Sequence, residues 1–143
     1  MSKESYNKII SKLQKLDEYV KYLKEMQKVN KNQFVEDYHF FGLAERYLQL
    51  SIEILLDVGK LLIVIGGLKR PEENQEIFYT LRDEKIISEK LTNNLVGIAN
   101  FRNILVHDYE KIDREIVYEK LQNNIDDFEH FKKEVIVYLS KKD

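Results

Sequence analysis

The chain has 143 residues, no cysteine, and 25 Asp and Glu against 23 Lys and Arg, for a net charge of −2. That length suits a single domain with its own core, and the missing cysteines exclude a disulfide framework or a thiolate metal site. The slightly negative balance argues against gripping long nucleic acid through the overall field, though not against a local cationic cleft.

Helix formers dominate, with one Pro and five Gly, so the fold class reads all-α over a single domain, residues 1–143. Residues 2–14 are polar and charged, unlike a signal peptide. The longest apolar run, residues 61–65, is far short of the ~20 residues of a membrane span. The expected setting is the cytoplasm, with no membrane contact.

In chain order, a first helix is expected over residues 3–29. Tyr6, Ile9, Leu13, Leu16, Val20 and Leu23 recur there at three- and four-residue spacing, one buried stripe. A polar break at 30–32 comes next, with Asn32 as a cap for the second helix. That second helix, 34–65, is the longest and nearly all apolar from Ile52 onward, which makes it the central element. Its stripe is Phe34, Tyr38, Phe41, Ala44, Leu48, Leu55 and Leu62, interrupted by Arg46, Glu53, Asp57 and Lys60. Gly66-Gly67 ends it. Pro71 opens a short helix to residue 81, and 82–85 form a charged turn. Ser88 caps a fourth helix, to 106, and Asp113 caps a last one, to 139, striped by Val117, Leu121, Ile125, Phe128, Val135 and Leu139. Four long helices and one short one make a mostly antiparallel bundle.

The stretch Phe101-Arg102-Asn103-Ile104-Leu105-Val106-His107-Asp108-Tyr109 stands apart. At 100° per residue, Ile87, Leu91, Leu95, Ile98, Phe101 and Leu105 form one apolar stripe, and Arg102 falls inside it. His107 points to the opposite side. A guanidinium on a core-facing stripe needs compensation, because an unpaired buried charge is very costly. Arg102 therefore meets a carboxylate, or lines a cleft or subunit interface, or awaits an anionic ligand. Glu53 and Asp57 are carboxylates that can pair with Arg102 or Arg46 and fix a guanidinium's direction.

The order Arg102, four residues, His107, one residue, Tyr109 resembles the R-x4-H-x-Y motif of the HEPN nucleases. It is most similar to the HepT toxin branch, small helical ribonucleases encoded beside a minimal nucleotidyltransferase, MntA. Glu45-Arg46-Tyr47-Leu48-Gln49 to Glu53, and Phe78 to Leu91, extend the likeness over nearly the whole chain. The resemblance implies a dimeric endoribonuclease toxin neutralised by a cognate nucleotidyltransferase that attaches AMP to Tyr109.

The residue types suit that chemistry without a metal or cofactor. A His titrating near neutral pH takes or gives a proton, and an Arg fork holds two phosphate oxygens. Arg102 and His107 are the catalytic candidates. Glu53 and Asn103 support them, Asn103 by hydrogen bonding, and Tyr109 is the modified residue. His39 reads as packed among aromatics, and no His or Cys spacing fits zinc. A rival class is a non-catalytic helical partner, or substrate-binding subunit, of a nucleotidyltransferase, which would keep Tyr109 while His107 does no work.

Overall fold

Short polar side chains decide where the helices begin. The computed structural model describes residues 1–107 and 112–142, with the side chain of His107 outside that set. Seven helices occur among the described residues: α1 (Lys3–Met26), α2 (Lys31–Glu36), α3 (Tyr38–Ile65), α4 (Asn74–Asp83), α5 (Glu89–His107), α6 (Arg114–Asn123) and α7 (Ile125–Ser140). Ser2, Asn30, Asp37, Ser88 and Asp113 each accept a backbone N–H from the first turn of the helix they cap. These N–H groups have no partner inside the helix, which is why such caps are favoured.

The all-α bundle stands, with finer divisions than periodicity indicates. The first helix ends at Met26 rather than residue 29, and Asn30, not Asn32, caps α2. The expected helix over 34–65 breaks at Asp37. Its backbone is extended (φ −112°, ψ 111°) while its carboxylate takes the His39 N–H at 2.9 Å, the local bonding by which Asp competes with helix. Pro71 does not open α4. Residues 72–73 bend first, the Glu72 N–H being held by the Glu76 carboxylate, and the helix starts at Asn74. The expected last helix breaks at Asn124, whose amide turns to Asp127 at 3.1 Å.

Among the described residues, α3 packs against each of the other six helices. Its pairing with α1 is antiparallel: Tyr47 meets Tyr19 and Tyr22 in tilted ring contacts, and Asp57 faces Lys12. Its end is a Schellman closure. Gly67 takes φ +67°, and the Gly67 and Leu68 N–H groups reach back to Val64 and Ile63. Phe34, Phe78, Phe128 and Phe131 are buried in the core. Two residues expected on buried stripes are not there: Tyr6 is 44% exposed and Tyr38 68%. Each lies at the start of its helix, where the facing layer has ended.

α5 is held at its start by α7. Glu134 accepts from the Ser88 N–H, and buried Asp127 accepts from the Asn94 amide at 3.1 Å. α4 comes close to α3 because residue 59 has no side chain. A Cβ placed there would lie 2.4 Å from Ile77 Cγ2. Gly59→Ala is therefore expected to lower stability by about 1–3 kcal/mol. Gly42→Ala, in open space on the same helix, should raise it by up to ~1 kcal/mol. Urea unfolding of both variants checks the pair, and equal shifts would contradict the close approach.

Candidate active site

Ile87, Leu91, Leu95, Ile98, Phe101 and Leu105 are all buried, the stripe that periodicity predicts for α5. Arg102 emerges beside this stripe and remains 23% exposed. Its Nη2 donates to Glu53 Oε1 at 3.1 Å. The Gln49 amide donates to the same oxygen at 3.3 Å. Arg102 Nε is buried and has no hydrogen-bond partner among the described residues. Among the described residues the guanidinium is thus anchored through Nη2 alone, and with Nε closed off from solvent it is the Nη hydrogens that can be offered to an anion. An Arg fork in that condition still has positive charge and hydrogens to offer an anion.

Of the residues singled out from the sequence, Arg102 and Glu53 come together across α5 and α3. Asn103 is the next residue on α5 and is exposed. The His107 backbone closes α5, about 7.5 Å along the axis from Arg102 at 1.5 Å per residue. The expectation that its ring points away from the Arg102 stripe concerns a side chain outside the described residues, as do Asp108 and Tyr109. Asp57 does not join Glu53, nor does it pair with Lys60. It lies 3.5 Å from Lys12 on α1. Gln49, named above only as part of the stretch that carries the likeness, belongs to this contact as well. Its signal is the four-residue spacing to Glu53, which places both on one helix face.

The N-terminal part of α3 lies beside the start of α6. The Arg114 guanidinium sits 3.9 Å from the Phe41 ring centroid and donates to the Val35 carbonyl at 3.1 Å. Burial pushes the Glu45 carboxyl up, with the Arg114 charge pulling it down as the smaller cause. His39 is not packed among core aromatics. It is exposed, bonds Asp37 at 2.8 Å and stacks on the equally exposed Tyr38 at 4.2 Å. The ring has surfaced because Asp37, and not Phe34, begins this helix. The backbone N–H bond from His39, then the bond from its ring, hold the Asp37 carboxyl below its ordinary value.

A larger cleft of about 660 Å³ lies at the other end of α5, between residues 86–89 and α7. It is some 20 Å along the helix from Arg102, and its Glu134 already serves as the cap of Ser88. Its chemistry is structural.

Comparison with known proteins places these features in a context. The family model described as ribonuclease HepT-like matches residues 16–135. The chain is similar to an mRNA nuclease HepT of Shewanella oneidensis, 27% identical over 111 residues, which take in 76% of this chain and 84% of that protein. It is 24% identical over 105 residues to a tRNA nuclease HepT of Aphanizomenon flos-aquae, covering 73% and 71%. The fold superposes on a tri-AMPylated Shewanella oneidensis HEPN toxin in complex with MNT antitoxin. The TM-score is 0.83 at 25% identity, over 96% of this chain and 99% of that one.

The Arg102–Glu53 contact makes a direct stability prediction. Glu53→Ala leaves a half-buried guanidinium without its acceptor and is expected to cost about 1–3 kcal/mol. Glu53→Gln retains a carbonyl oxygen and should cost less. A double-mutant cycle with Arg102→Met isolates the contact. Additive costs would show that the two side chains do not support one another.

Proposed function

The chain belongs to the ribonuclease HepT-like family, and we propose that it is the endoribonuclease toxin of a HepT/MntA-type toxin–antitoxin pair, cutting RNA without a metal at Arg102 and His107. The observation that carries this reading is the Arg102 guanidinium, anchored by Glu53 through Nη2 alone among the described residues, on the helix that His107 closes. His107 removes the 2′-OH proton, and the 2′-oxygen attacks the adjacent phosphorus. The bond to the 5′-oxygen breaks, and that oxygen leaves with a proton. Arg102 stabilises the extra negative charge on the phosphorane. The products are a 2′,3′-cyclic phosphate and a 5′-hydroxyl, so DNA is not a substrate. Asn103 assists by hydrogen bonding to the phosphate.

Tyr109 is the acceptor of AMP from a cognate MntA-like nucleotidyltransferase. What supports this is the AMPylated state of the Shewanella oneidensis toxin in complex with its antitoxin. Each added AMP brings about one negative charge. Placed near Arg102, that charge occupies the cation meant for substrate and repels RNA. The protein works in the cytoplasm as one domain. Among its described residues, no helix is long and apolar enough to cross a membrane.

The working unit is a homodimer. One His107 per protomer supplies only one proton-transfer group, and two copies supply both base and acid. The outward face of α5 favours contact with a second copy: Asn93, Val96, Gly97, Asn100 and Asn103 carry no charge, in a chain one-third charged.

Wild type and His107→Ala, expressed without a partner and incubated with structured RNA in EDTA, test the chemistry. Wild type should leave cyclic-phosphate ends, and an equally folded His107→Ala should leave RNA intact. An unmodified wild type, verified by intact mass, that also fails to cut would reject the nuclease reading. For the dimer, exchanging an excess of His107→Ala chains into the wild type should suppress its activity, because each mixed dimer then has a single His107. If activity simply follows the number of wild-type chains, each protomer's site is self-contained.

A further inference from the structure

One face of α3 carries an exposed Arg46 and a half-buried Lys60, with half-buried Glu53 midway between them. Residues seven apart on a helix lie within about 20° of one another and about 10.5 Å apart along the axis. Arg46, Glu53 and Lys60 are related in this way. The central position is occupied in effect by Arg102, which reaches over from α5 to Glu53. Arg46 lies one step to one side, and Lys60 one step to the other.

The Lys60 end is a cleft of about 280 Å³ between α1 and α3, lined by Lys8, Lys12, Asp57, Lys60, Leu61 and Val64. Asp57 is opposed by Lys12 at 3.5 Å and Glu53 by Arg102. Among the described residues, Arg46, Lys60 and Lys8 have no ion-pair partner. The seam thus gathers five cations against two carboxylates on a protein whose overall charge is −2. Charge of one sign concentrated along a line, against the sign of the whole, is the footprint of a polyanion.

We propose that the α3 seam is a substrate track. A single strand of RNA runs along it, with Arg46 holding a phosphate on one side of the scissile position and Lys60, with Lys8, holding one on the other. This rests on the ribonuclease reading above and deepens it. The substrate is an extended strand that continues past Arg102 in both directions. The contacts go to phosphates, so the track adds affinity without reading sequence. The partly apolar cleft beside Lys60, with Leu61 and the exposed Val64, gives a base or ribose a surface to lie on.

The salt dependence of binding tests this in the full-length His107→Ala protein with labelled oligouridine, followed by fluorescence anisotropy over a KCl series. Each phosphate contact removed lowers the slope of log K against log salt by about 0.7 for a single strand. Arg46→Gln and Lys60→Gln should each lower the slope by that amount and weaken binding several-fold. Arg46→Lys should retain the slope, because the charge remains. Lys90→Gln, an exposed cation at the start of α5 and off the seam, should leave both slope and affinity unchanged. Circular dichroism verifies that all variants are folded. If Arg46→Gln and Lys60→Gln keep the parent slope, the track is refuted. If wild type nevertheless cuts RNA, only the track is lost. If wild type does not cut and the parent does not bind oligouridine, the ribonuclease reading falls with it.

Discussion

Everything at the candidate site depends on how one guanidinium is compensated. Arg102 grows out of the helix face that also provides core residues to α5, so its charge sits where desolvation is partial and water alone cannot answer it. The α3 carboxylate of Glu53 answers it, and Gln49 steadies the carboxylate. That arrangement links the two helices and directs the cation. It also sets a limit on the strength of the anchor. The contact uses one oxygen and one arm, so an incoming phosphate need not displace Glu53 to be held. A bidentate internal pair would have been a better structural bond and a poorer anion receptor.

Much of this was legible in the residues. The α5 stripe from Ile87 to Leu105 follows from helical spacing, and placing Arg102 inside it forces a choice among a carboxylate, an interface and an anion. Ser88 and Gly66-Gly67 announce themselves as helix ends because their chemistry there is local. The breaks at Asp37 and Asn124 were less visible. In each a single polar side chain bonds its own neighbourhood instead of continuing the helix, and periodicity carries no trace of that competition. Tyr38 and Tyr6 fit apolar stripes in register yet project past the ends of the layers they should face. Register reports direction and says nothing about whether a partner is there. The partner of Asp57 is a lysine on α1, which no spacing within α3 reveals.

A net charge near zero keeps non-specific attraction to nucleic acid weak, and on the proposed reading the local arrangement on α3 and α1 would decide where a strand settles. On the same reading, AMP on Tyr109 would add negative charge to a chain whose α3 seam carries only a small excess of cations.

The clasp between α5 and α7 bears on the order in which the helices are fixed. α5 is oriented by Glu134 and Asp127, which lie 46 and 33 residues after their partners Ser88 and Asn94. Synthesis proceeds from the N-terminus, so the motif leaves the ribosome well before the helix that steadies it. Until α7 is made, α5 lacks its bonds to Glu134 and Asp127 and is held by its packing on α3 and α4 and by the Arg102–Glu53 contact. The final adjustment of α5 therefore waits on a segment made after it, and a change in α7 would reach the helix of Arg102 without touching Arg102.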